Sequence, residues 1–306
     1  MAPQPSRPLV TPKDIVWLTL LFPATWLTRL LPLSWLYPLG DALAASRAAL
    51  LRRSRKGLLR ALSAGLDADP ASPELHAIAA QFIRNRILCH LDDLLIVHRF
   101  PDLHWPNVEV VHLDYLTQAL SAGKGALLLN GHFYASRVAK RYLAATGFRS
   151  LSVRNHAPPY WAVGQFGNRF LRQRFTAFLG AVLGDEVSSS DPDCSLKMLA
   201  RLRAGGLIDY YVEARISREQ VTRRVLGRDR TYAAGFLHVA RLAGCPLVPM
   251  RCAGNSRRLR IEFGEPFELQ DAPDRRTFVE TNMAVILRNL EEQIKSNPAE
   301  WYLWAS

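Results

Sequence analysis

From about residue 72 onward the chain alternates short apolar runs with amphipathic stretches. Ser72-Pro73 sets an N-cap residue before Pro at the first helical position. It predicts a long helix to about His98, with Ile83, Ile87, Leu91, Leu94 and Leu95 on one side. Strands are predicted at Val108–Val111, Ala126–Leu129, Ser150–Val153, Leu207–Val212 and Leu247–Arg251, because each run is apolar, short and bounded by turn residues. Helical spacing fills the intervals, over Asp114–Ala122, Tyr134–Ala145, about Val163–Leu179, Asp193–Ala204 and Ala233–Leu242. This βαβ rhythm predicts an α/β fold with an open, mainly parallel sheet flanked by helices. Leu259–Phe263 alternates apolar with charged residues and reads as a half-exposed antiparallel strand at an edge, followed by a closing helix over Arg276–Lys295.

The first part of the chain has a different pattern. No residue from Ile15 to Thr28 is charged, a run of 14, and apolar character resumes after Arg29 through Leu39. That is short of the roughly 20 residues needed to cross the hydrocarbon core, and Pro23 and Pro32 interrupt it. Trp17, Trp26, Trp35 and Tyr37 suit the headgroup region, and Arg47, Arg52, Arg53, Arg55 and Lys56 follow where anionic lipid would meet them. The pattern predicts an interfacial helical hairpin over residues 1–56, followed by an α/β domain over 57–306. Two other readings compete: a signal peptide ending near Ala42-Leu43-Ala44, and a helix pair packed on the protein's own core.

Composition narrows the partners. Lys and Arg number 39 against 27 Asp and Glu, a net charge of +12, which favours an anionic partner. No zinc finger or ribonucleoprotein aromatic pair is visible, so nucleic acid is not expected. Cys89, Cys194, Cys245 and Cys252 lie far apart without metal-site spacing, which implies a reducing compartment and no structural metal.

The chemistry centres on Asn130-Gly131-His132-Phe133. His132 follows a buried apolar run and precedes a helix, the carboxyl end of a parallel strand where open α/β sheets place their sites. Gly131 lets the backbone pass closely there, and helix-terminal amides beyond His132 are candidates to face an anion or a developing oxyanion. A neutral imidazole can take a proton from a hydroxyl or amine attacking a thioester. A structural histidine capping the next helix is the plainer alternative.

Leu128-Leu129-Asn130-Gly131-His132-Phe133 resembles the strand and Gly-His-Phe motif of the bacterial late lipid A acyltransferases, within the lysophospholipid acyltransferase superfamily. Glu213, with Arg215 and then Val225-Leu226-Gly227, is similar to the family's acidic motif and the segment after it. Ala240-Arg241-Leu242-Ala243-Gly244, running on to Pro249, and Asn297-Pro298-Ala299-Glu300-Trp301-Tyr302-Leu303-Trp304 resemble two further family segments, in the right order. The terminal one resembles Pro-x-Gln-Tyr-Leu-Trp. The resemblance implies an acyltransferase at the cytoplasmic face of a bacterial inner membrane, taking its acyl group from acyl carrier protein or coenzyme A as co-substrate, with no cofactor. It also implies that Arg154 and Arg169 face phosphate or carrier groups, although both also read as surface charges; Asn130 and Gly131, at the strand end, are candidates to line the substrate site.

The family pattern sets an acid on the fifth residue after its histidine, and here that residue is Arg137. An arginine cannot accept the imidazole N–H and disfavours its protonation. Three outcomes follow. Glu213 takes the orienting role; or Arg137 binds an anionic acceptor; or the chain is a non-catalytic binder of acyl chains or carrier protein. Against the first two stand a surface ion pair between Glu213 and Arg215, and a solvated Arg137 beside Lys140 and Arg141.

Overall fold

The structure is a computed structural model that describes residues 8–12, 14–15, 23, 26–50, 52–98, 107–154, 164–167, 184–215 and 217–305. Three helices lead in: α1 (Leu33–Leu50), α2 (Arg52–Leu66) and α3 (Pro73–His98). The sequence-expected cap of α3 is present, with Ser72 Oγ accepting the Leu75 N–H at 3.2 Å.

Then follow β1 (Val108–Val111), α4 (Leu113–Ser121), β2 (Ala126–Asn130), α5 (Ser136–Ala145), β3 (Ser150–Arg154), β4 (Glu186–Ser188), α6 (Cys194–Arg203) and β5 (Leu207–Tyr211). A hairpin of β6 (Gln220–Val225) and β7 (Arg228–Ala233), α7 (Gly235–Ala243), β8 (Leu247–Asn255), β9 (Arg258–Phe263) and α8 (Arg275–Ser296) complete the order. Two short 3-10 turns, Pro298–Glu300 and Tyr302–Ala305, close the described chain.

Seven strands form one sheet in the order β1-β9-β8-β2-β5-β3-β4, mainly parallel as the pattern predicts. Every residue of β2 is buried, so both faces of the central strand are covered. Leu259–Phe263 lies in β9 and pairs antiparallel with β8, as expected, but it is not an edge, because β1 pairs parallel on its outer side. β4 and the separate β6–β7 hairpin add strands that the apolar runs do not announce. The helix expected over Val163–Leu179 falls almost wholly outside the described residues.

α1 packs against α3, where Leu36 and Tyr37 meet Leu88 and Leu95 in a second apolar cluster. The link has a polar centre: Asp92 on α3 accepts the Tyr37 hydroxyl at 2.6 Å and both the backbone N–H and the hydroxyl of Ser256, at 3.1 and 2.5 Å. Opposite this seam α1 presents Trp35, Leu39 and Leu43, exposed by 67%, 46% and 56%. These positions recur at i, i+4 and i+8, one face of the helix, and Trp26 and Leu30 just upstream are exposed as well. The hairpin thus packs on the protein with one face and leaves an apolar stripe on the other. Among the described residues, no helix is long and apolar enough to cross a membrane.

Candidate active site

β2 is flanked by β5 and β8, both parallel to it, so its carboxyl end and that of β5 lie side by side. The register pairs Asn130 with Tyr211, and Val212 N–H extends the pairing to the Asn130 carbonyl at 3.0 Å. His132 and Glu213, two residues past these strand ends, therefore meet. His132 Nδ1 lies 3.0 Å from Glu213 Oε2, and the backbone N–H of His132 donates to Oε1 at 3.0 Å. A third donor comes from the end of the chain, where the Trp301 indole N–H reaches Glu213 Oε1 at 2.6 Å.

The Glu213 side chain is only 3% exposed, so it is not a surface partner of Arg215. Burial by itself pushes its pKa up, but the His132 imidazole, the hydrogen bonds from His132 and the Trp301 indole outweigh burial and hold the carboxyl below its ordinary range. An ionised carboxylate only accepts, so in the neutral imidazole Nδ1 carries the proton and Nε2 the lone pair. The imidazole side chain is 24% exposed and lines a cleft of about 1240 Å³.

Tyr211 and Tyr302 set the ring between them, the first tilted at 4.6 Å and the second edge-on at 5.2 Å. Gly131 has a steric reason to be glycine, because a Cβ there would lie 2.5 Å from the Phe133 ring. The Gly-His-Phe turn is also stitched to the chain end: Tyr302 N–H donates to the His132 carbonyl at 3.0 Å, Tyr134 N–H donates to the Glu300 carbonyl at 2.9 Å, and Phe133 bridges Trp301.

This stitching narrows one expectation. The amides of His132, Phe133, Tyr134 and Ser136 are bonded within the protein, and α5 begins at Ser136, so the helix-terminal amides of that expectation belong to the first turn of α5.

The other sequence-selected residues are placed as follows. Arg137, on the first turn of α5, pairs with Asp93 of α3 and is not among the residues lining the cleft. Its neighbours Lys140 and Arg141 are buried rather than solvated. Asn130 is fully buried, and its amide faces Asp209 at 3.5 Å, on the sheet face opposite the cleft-lining Tyr210. Arg154 does line the cleft and pairs with Glu186 at 3.0 Å. Arg169 lies outside the described residues. No group of three or more His, Cys, Asp or Glu able to hold a metal occurs among the described residues.

Sequence reasoning missed Trp301 as a partner of Glu213, since 88 positions separate them and only the apolar run near the chain end hinted at burial. It also missed a second acid-bound imidazole in the same cleft, His238, whose Nε2 meets Glu219 Oε2. Glu219 is at the same time clamped by Arg275, through Nε at 2.8 Å and Nη2 at 3.2 Å.

Comparison with known proteins agrees with the layout of the motifs. No match was found among curated proteins. Among solved structures the chain is similar to the 1-acyl-sn-glycerophosphate (LPA) acyltransferase PlsC from Thermotoga maritima. The identity is 10% and the TM-score 0.38, over 84% of this chain and 96% of that one, and a likeness at that score carries no argument about function. Residues 4–305 match the family described as bacterial lipid A biosynthesis acyltransferase, so the match includes the Gly-His-Phe turn, Glu213 and the terminal Trp301-Tyr302. The chain belongs to the bacterial lipid A biosynthesis acyltransferase family.

Proposed function

We propose that this acyltransferase moves a fatty-acyl group from a thioester of acyl carrier protein or coenzyme A onto a hydroxyl or amine of a lipid-like or small-metabolite acceptor, with His132 as general base and Glu213 as its partner. The observation that carries the reading is the contact between His132 Nδ1 and Glu213 Oε2. It leaves Nε2 as the basic nitrogen of an imidazole that lines the cleft.

Nε2 takes the acceptor proton as the acceptor oxygen or nitrogen bonds to the thioester carbonyl carbon. The C–S bond then breaks, and the thiolate leaves with that proton from the imidazolium. Glu213 stabilises the imidazolium in between, the role that the family pattern gives to the fifth residue after the histidine. Arg154, inside the cleft, is assigned to an anionic group of donor or acceptor. Arg137 receives no such role, because Asp93 already holds it.

Residues 1–56 are assigned to membrane association at the cytoplasmic face of the inner membrane and 57–306 to the acyltransferase domain. The exposed stripe of Trp35, Leu39 and Leu43 and the net charge of +12 support an anionic lipid surface and an acidic carrier.

The test is acyl transfer by the purified chain, given acyl carrier and coenzyme A thioesters with lipid and small-molecule acceptors. Transfer that disappears in His132→Ala is expected. Binding of acyl carrier without transfer to any acceptor would overturn the reading in favour of a non-catalytic relative.

A further inference from the structure

Two tryptophans close the chain at right angles, their ring centroids 5.0 Å apart, and their N–H groups do different things. Trp304 donates to the Pro298 carbonyl at 2.8 Å, an ordinary way for a buried indole to satisfy its donor. Trp301, 1% exposed, donates instead to Glu213 at 2.6 Å, a short charge-assisted bond onto the carboxylate that holds His132.

Oε1 of Glu213 then accepts two N–H groups, from His132 and Trp301, while Oε2 is left to the imidazole. A carboxylate bonded on both oxygens cannot rotate without breaking one of the bonds. The Arg230 guanidinium lies over the Trp301 ring, 5.0 Å from its centroid, which fixes the ring plane and, by drawing on its electrons, makes the N–H a better donor. The next residue, Tyr302, holds His132 by its backbone and meets the imidazole with its ring. One dipeptide thus grips both members of the pair.

Resting on the reading of His132 and Glu213 given above, we propose that Trp301 is a positioning residue for acyl transfer, whose indole N–H orients the Glu213 carboxylate toward His132 Nδ1. The C-terminal segment is then part of the active site rather than only a cover for the core.

The test removes the donor and keeps the shape. Benzothienylalanine introduced at position 301 by nonsense suppression replaces the indole N–H with sulfur, and Trp301→Phe is the coarser variant. Without the N–H, the Glu213 charge is less shared, so both the carboxylate and the imidazole it faces become more basic. The acid limb of the kcat–pH profile is expected to move up by about 0.5–1 unit, with kcat down about three- to tenfold below that limb and KM unchanged. A sulfur-substituted chain with the wild-type pH profile and kcat would overturn the proposal. A merely structural Trp301 would lower the melting temperature or the active fraction without moving the limb, and that result overturns it too. Glu213→Gln, measured in parallel, separates the two levels: if that variant retains full kcat, the reading of the pair has failed; if it loses kcat while the sulfur variant does not, only the role of Trp301 has failed.

Discussion

Arg137, on the fifth residue after His132, is bound to Asp93 of α3, so the charge that departs from the family pattern is paired with a carboxylate. The pair is partly open to solvent, with side-chain exposures of 45% and 17%, and pairs of this kind contribute little, on the order of 0.5–1 kcal/mol. Arg137→Gln is therefore expected to keep kcat and KM within about threefold of wild type and to lower stability by no more than about 1 kcal/mol. A hundredfold rise in KM for the acceptor would instead place Arg137 on the substrate.

Glu213→Gln tests the replacement partner directly. The amide keeps the size of the side chain but accepts through one oxygen only, so it cannot bond His132 and Trp301 as the carboxylate does, and it no longer stabilises an imidazolium. A loss of about 10²–10³ in kcat is expected, against about 10³ or more for His132→Ala, as is usual for a positioned base. Combining the two changes should cost little beyond His132→Ala alone, because the residues act as a unit. Additive losses would mean that Glu213 acts independently of the imidazole.

The apolar stripe on α1 predicts a separable defect. Trp35, Leu39 and Leu43 are exposed while Leu36 and Tyr37, beside them, are packed on α3, so the stripe can be made polar without touching the seam. Burying each such side chain in lipid is worth roughly 1.5–3 kcal/mol. The triple change to Ser should weaken binding to phosphatidylglycerol vesicles by at least about a hundredfold while leaving the melting temperature within a few degrees. Unchanged vesicle sedimentation would assign the stripe to some other partner.

How far these features were legible in the sequence depends on their range along the chain. β2 and β5 are short apolar runs ended by Asn130-Gly131 and by Val212-Glu213, so the adjacency of His132 and Glu213 follows once parallel neighbours are assumed. The β6–β7 hairpin was hidden for a local reason. Its turn carries Leu226 at φ 50° and Gly227 at φ 72°, and leucine gives none of the Asn or Asp signal that marks such turns. Arginines on both faces, Arg223 on the side of Val221 and Val225 and Arg224 on the exposed side, mask the strand alternation further. β4 spans only three residues, Glu186–Ser188, too few for any period to register. Trp301 and Asp93 were hidden for a nonlocal reason: each reaches its partner across the fold, from the chain end and from α3, and no spacing rule connects them.

Glu300 ties the same chain end to pH. It stands where the resembled terminal motif carries glutamine, it is 6% exposed, and Gly254 N–H donates to its Oε1 at 3.1 Å while Oε2 has no hydrogen-bond partner among the described residues. Burial raises its pKa from 4.5 to about 7. Between those values the folded chain holds a proton that the unfolded chain has released, so this group makes stability fall as pH rises from about 4.5 to about 7, and the loss is complete above that. Asp92, raised by burial from 3.8 to about 6, adds a slope of the same sign at lower pH. Glu300→Gln stays neutral throughout and keeps an acceptor for Gly254. Urea unfolding should find the variant close to wild type at pH 4.5 and more stable at pH 8, by up to an order of 3 kcal/mol, with the Glu300 contribution gone from the slope. Parallel stability curves for the two chains across that range would mean that Glu300 is ionised in the folded protein at neutral pH and that its carboxylate is solvated through the neighbouring backbone.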